Sequence, residues 1–209
     1  AACGKKDEVL RTDRTRGLVR ELLTKLDSSD VYAARLENHL QMLKANAAET
    51  DDCVARCDIY YAIAEKYANY VLDSALVYLN KAVYVAEKVG NDALRTKVVL
   101  KLSTTLTAGG FYVASKETLE SVRRNTLTKT QLILYYGAWA TLYHDLYSSS
   151  HEPEAFQEKY RHMYTTYRDS LLAVTDTMSI LHLRNLGRRE ARLGNFAEAR
   201  RYNALCISQ

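Results

Sequence analysis

A single proline in 209 residues is the strongest constraint on how this chain can fold. Proline and glycine end helices and build tight turns. With only eight glycines beside Pro153, little is left to close β-hairpins or interrupt a helix. The chain is therefore expected to be all-α, with long helices. Its breaks fall at small polar clusters: Asp27-Ser28-Ser29-Asp30, Thr50-Asp51-Asp52, Gly90-Asn91-Asp92, Gly109-Gly110, Ser148-Ser149-Ser150, Thr175-Asp176 and Gly194-Asn195. Such residues cap a helix start through a side-chain oxygen or end a helix through a left-handed glycine.

Between these breaks the 3–4 spacing of apolar residues predicts ten helices, over about 7–27, 31–47, 52–71, 73–89, 92–108, 111–124, 127–147, 153–174, 177–193 and 196–208. The first carries Val19, Leu22, Leu23 and Leu26, and the second Ala33, Leu36, Leu40, Leu43 and Ala47. The short link between them predicts an antiparallel hairpin. The stretch Asp73–Val89 is the clearest helix, with Asp73 placed to cap it. Ala75, Leu79 and Ala82 fall on one stripe, and two small residues flanking a larger one make a groove that a second helix can approach closely. Weaker copies start at Ala114 and Ala199.

Ala114 follows Ala75 by 39 residues, and Ala199 follows Ala114 by 85, about twice that interval. Helix pairs repeating at such a period stack into a solenoid, each pair burying its face on its neighbours. The units expected are 50–90, 91–126, 127–175 and 176–209, preceded by a helical hairpin over 7–49 and a short linker over 1–6. Gly194-Asn-Phe-Ala-Glu-Ala199 resembles the turn-and-helix of tetratricopeptide (TPR) repeats, and Gly109 stands five residues before Ala114 in the same way. The units are longer than the usual TPR, and Leu102 stands where that family often places its first-helix glycine. The resemblance covers about 50–209 and implies a right-handed α-solenoid of TPR-like hairpins. The phrases Asp30-Val-Tyr, Asp73-Ser-Ala-Leu-Val-Tyr and Tyr167-Arg-Asp-Ser-Leu-Leu172 are similar to a family of exported Bacteroidetes TPR proteins of poorly defined function. Several members of that family continue into a membrane helix and a cytoplasmic regulator segment. That leaves two readings open, a scaffold of the envelope and the sensing part of a membrane-anchored regulator.

Ala1-Ala2-Cys3-Gly4 resembles the end of a bacterial lipoprotein signal, and Lys6-Asp7-Glu8 resembles a short surface-export motif. The resemblance implies a lipid on Cys3 and an extracytoplasmic, membrane-anchored location. The alternative is an arbitrary start with a free cysteine. No run of about 20 apolar residues is long enough to span a membrane. A net charge of +4, spread among acids, fits an ordinary surface better than a nucleic-acid footprint. Cys53 and Cys57 are one turn apart without further ligands nearby, so small buried helix residues are a better reading than zinc. No nucleotide-binding, nucleophile-elbow or zincin motif occurs, and the lone pair His144-Asp145 lacks a nucleophile. The chain is read as a non-enzymatic module without cofactor or metal.

Arg184, Arg188 and Arg192 fall on one stripe of a helix. They form either a solvated face, paired with Glu190, Glu198 or a neighbour, or a line of forks for carboxylates or phosphates. The TPR resemblance places the first helix of each pair on the concave face. It thereby implies a groove holding Tyr60 and Tyr67 of the first unit, His144 and Tyr147 of the third, and the three arginines of the last. The expected partner is a protein or peptide lying in that groove.

Overall fold

The computed structural model describes residues 13–27, 29–149 and 153–208. Cys3 and the linker over 1–6 lie outside the described residues. Ten α-helices follow in order: α1 (Asp13–Asp27), α2 (Ser29–Glu49), α3 (Cys53–Tyr67), α4 (Leu72–Val89), α5 (Asp92–Ala108), α6 (Tyr112–Glu120), α7 (Lys129–Ser149), α8 (Glu154–Val174), α9 (Ile180–Arg192) and α10 (Phe196–Ile207). A short 3-10 turn, Arg124–Thr126, precedes α7, so the helix expected over 111–124 stops at Glu120. The described residues contain no strand.

The chain divides into two compact units, Ala1–Thr50 and Asp51–Gln209. In the first, Val19, Leu22 and Leu23 of the expected α1 stripe are all exposed. On α2, Leu40 and Ala47 are buried.

The second unit is an all-α solenoid of helical hairpins, α3–α4, α5–α6, α7–α8 and α9–α10. Its helix starts show why the breaks fall where they do. Asp52 accepts from the Val54 N–H at 2.8 Å and Asn91 from the Leu94 N–H at 3.0 Å, each satisfying a free donor of the first turn. Gly90 ends α4 at φ +69°, a conformation in which a Cβ is strained. Asp73 does not cap α4: the helix begins at Leu72 after Val71, and Asp73 lies in its first turn, where a carboxylate faces the positive end of the helix dipole. The expected cap at Thr175-Asp176 is likewise taken over by Ser179, whose hydroxyl accepts from the His182 N–H at 3.2 Å. Three intervening residues let Thr175 turn inward instead.

Ala75, Leu79 and Ala82 are fully buried, as their spacing requires. Cys57 is buried among them with its thiol 3.3 Å from the Ala82 carbonyl, while Cys53, expected to be buried too, is exposed. The second copy of the pattern is shifted by one residue. Ala114 is exposed and Ser115 is fully buried, because the left-handed glycine of that turn is Gly110, at φ +78°, and not Gly109. Gly194, at φ +81°, stands the same five residues before the buried Ala199. Twelve residues before each of these come Ser103 and Gly187, so the first-helix position belongs to Ser103 rather than Leu102. Both positions need a close approach. Ser115 Oγ donates to the Ser103 carbonyl at 2.9 Å, and a Cβ on Gly187 would come within 2.8 Å of Asn203 Oδ1.

Two apolar clusters fill this unit. One joins α3, α4 and α5 through Cys57, Ala64, Leu79, Ala82, Ala86 and Val98. The other centres on α7, where Trp139 stacks on Tyr143 (5.6 Å between ring centres) and on Tyr167 of α8 (5.1 Å, 7° between planes). Burial pushes the Tyr167 hydroxyl up to about 12.

Candidate functional site

Helices α7, α8 and α9 enclose a cavity of about 590 Å³. Helix α7 contributes Gly137, Ala140 and Thr141 along its wall, then His144 and Tyr147. Helix α8 contributes Tyr164, Arg168 and Leu171. From α9 come Leu181, Asn185 and Ala191, together with Arg184, Arg188 and Arg192. The lining thus holds four arginines and no carboxylate.

Five of the residues expected in the groove, His144, Tyr147, Arg184, Arg188 and Arg192, are brought together here. Tyr60 and Tyr67 are not. They belong to α3, where both rings lie against Tyr78 of α4, at 5.8 and 6.1 Å, and Lys81 lies over the Tyr60 ring at 5.8 Å.

The acids that might have neutralised the arginine stripe are engaged elsewhere. Glu190 accepts from Arg189 at 3.2 Å and from Asn195 at 2.9 Å, which, Asn195 first, holds its carboxyl below the usual range. Glu198 pairs with Arg201 at 3.3 Å. Arg184 and Arg188 make no ion pair among the described residues, and both are exposed to the cavity. Arg192 is fixed at its guanidinium: Nη1 donates to Thr165 Oγ1 at 2.7 Å, and the group sits 5.7 Å from the centre of the Tyr164 ring. Burial and then the nearby Arg168 charge press its pKa down. A second, smaller cavity of about 320 Å³, beside Arg161 and His162, shares Arg192 with the first.

Tyr164 and Arg168 are cavity residues that the spacing argument did not assign. Tyr164 carries a guanidinium at 4.9 Å from its ring centre (Arg168), besides that of Arg192, and the His144 ring meets it edge-on at 5.3 Å. Arg168 is the largest fully buried side chain, only 1% exposed. Its Nη1 donates to the Tyr164 hydroxyl at 3.1 Å, while Nε and Nη2 have no acceptor among the described residues. A signal was present in the sequence: Tyr160, Tyr164, Tyr167 and Leu171 run at 3–4 spacing along α8, and Arg168 falls on the same face, four residues after Tyr164 and four before Leu172.

His144 Nδ1 lies 3.1 Å from Asp145 Oδ1. No group of three or more metal-ligating side chains is found among the described residues. No described helix is long and apolar enough to cross a membrane.

Among solved structures, the crystal structure of BtubC (BKLC) from P. vanneervenii is similar over 98% of this chain and 87% of its own, with a TM-score of 0.53 and 14% identity. At that identity the likeness concerns the fold alone. No curated protein matches the chain. Residues 26–209, nearly the whole of the described helical array, match the family model of the SusR N-terminal TPR domain, and the chain belongs to that family.

Proposed function

We propose that the protein is a non-enzymatic binding module whose α7–α8–α9 cavity captures an acidic segment of a protein or peptide partner, either extended or helical. TPR domains are in general interaction scaffolds, and solenoids present their concave surfaces to ligands. The observation that carries the reading is the lining: four arginines, none of them in an ion pair among the described residues, and no carboxylate. An array built only for solvation would neutralise or spread this charge. The units of the array are 50–90, 91–126, 127–175 and 176–209, with the binding residues His144, Tyr147, Arg184, Arg188 and Arg192 supplied by the last two.

The test is retention of acidic peptides on an array, with charge-neutral glutamine versions beside them. The wild type should hold the acidic set, with affinity falling as salt rises. The triple variant Arg184→Glu, Arg188→Glu, Arg192→Glu should lose it while its circular dichroism is unchanged. Equal retention by the triple variant rejects the groove.

A second reading is favoured by the family itself, whose description places such domains at the N-terminus of SusR. Here the module would be the extracytoplasmic ligand-sensing part of a membrane-anchored transcription regulator. Lipidation of Cys3 with attachment to the envelope belongs to the first reading. The intact mass of the native protein from membrane fractions separates them. A lipid-sized addition on a chain of about this size supports the scaffold, and a much larger unlipidated species supports the regulator.

A further inference from the structure

We infer that Arg168 is a carboxylate reader: the floor of the α7–α8–α9 cavity takes the carboxylate group of its ligand on the side-on fork of this buried guanidinium. This deepens the proposed function and rests on it.

The argument begins with what burial does to a guanidinium. Its five N–H donors cannot be deprotonated, and each one sealed from water needs an acceptor. Arg168 is 1% exposed and satisfies Nη1 on the Tyr164 hydroxyl, yet Nε and Nη2 are buried without an acceptor among the described residues. These two nitrogens form one edge of the planar group, with parallel N–H bonds spaced to meet the two oxygens of one carboxylate. The chain therefore meets the guanidinium at Nη1 and leaves its side-on Nε–Nη2 edge, buried beside the cavity, without an acceptor among the described residues.

The surroundings hold that edge in place. Arg168 lies over the Tyr164 ring, Arg192 lies over the same ring, and Arg192 is itself tied to Thr165. The cavity beside it carries Arg184 and Arg188, which make no ion pair among the described residues and would draw an anion inward. A planar two-oxygen acceptor fits this fork. Charge alone would suit sulfate equally, so the two are separable by experiment.

Three forms of the whole chain are compared by thermal unfolding and titration calorimetry: wild type, Arg168→Lys, which keeps the charge without the fork, and Arg168→Met, which keeps the length without the donors. The probes are glutarate, its neutral analogue glutaramide, sodium sulfate at equal ionic strength, and an acetylated, amidated tetraglutamate peptide. Glutarate or the peptide should give a saturable rise in Tm with the wild type, and glutaramide none. Arg168→Lys should weaken that binding about tenfold or more. Arg168→Met should abolish it while leaving the unliganded Tm equal or higher, since it removes buried donors that nothing satisfies. Response to glutarate marks a small organic acid as sufficient, and response to the peptide alone marks a protein source. The inference is overturned if sulfate matches the carboxylates, if neither carboxylate binds, if Arg168→Lys binds as well as the wild type, or if Arg168→Met melts well below it. If acidic peptides bind, depend on Arg184 and Arg188, and ignore Arg168, the proposed function stands and this inference alone falls.

Discussion

The junction where α5 meets α4 and the junction where α9 meets α8 join equivalent helices and have opposite contents. Counted from Ser103 and Gly187, Arg184 falls at the position of Leu100, Arg188 at that of Thr104, and His182 at that of Val98. Val98 is buried in the apolar cluster through which α5 closes on Ala82 and Ala86 of α4, and Leu100 is buried in the cluster centred on α7. Helix α9 cannot close in the same way, because sealing its arginines without partners would strip them of water. It meets α8 instead at its two ends: Thr175 Oγ1 lies 2.9 Å from His182 Nδ1, and Arg192 reaches Thr165. The space left between is the cavity. One way of joining neighbouring hairpins therefore makes a sealed core or an open site according to a handful of side chains on one helix face.

The sharpest way to break this comparison is to delete a large side chain at each junction. Leu79→Ala should cost about 3 kcal/mol in urea unfolding, since Leu79 is fully buried in a close-packed seam. Leu181→Ala, half-buried at the cavity wall, should cost about 1 kcal/mol. Equal costs would mean that the second junction is as tight as the first. A smaller effect tests how the α5–α6 hairpin is held. Ser115 Oγ lies 2.7 Å from Thr107 Oγ1 and donates to the Ser103 carbonyl, where the last hairpin makes do with Gly187 and Ala199. Ser115→Ala should cost about 1 kcal/mol by leaving buried polar groups unmet, and a neutral result would make the two hairpins interchangeable here.

The smallest expected effect is in alkali. The Tyr167 hydroxyl is raised from its ordinary 10.0 to about 12, so between these values the unfolded chain loses this proton and the folded chain keeps it. Stability from this group is complete below pH 10 and drains away as pH rises toward 12. Tyr167→Phe should flatten that part of the pH profile. An unchanged slope would mean that the ring is less enclosed than its stacking implies.

Much of this was legible in the sequence. Scarce breakers gave the helices, and Ala75, Leu79 and Ala82 gave the closed seam, because burial of a helix stripe is a local, periodic property. The arginine line of α9 was legible for the same reason. The register at Gly109-Gly110 was not, since two adjacent glycines offer two left-handed candidates and only packing chose Gly110. The contact of Tyr60 and Tyr67 with Tyr78 was not legible either, because the spacing along one helix does not say which rings of its hairpin partner lie opposite. Arg168 escaped because composition treats every arginine as solvated, and its burial depends on what α7 and α9 bring near it.

Trp139, the one tryptophan of the chain, stacks face to face on Tyr167, whose neighbour in sequence is Arg168. Its emission is therefore a label-free gauge of the α8 backbone. Any ligand that tugs on the floor of the cavity must register on the far side of the same helix turn, as a change in the colour or brightness of the protein's own light.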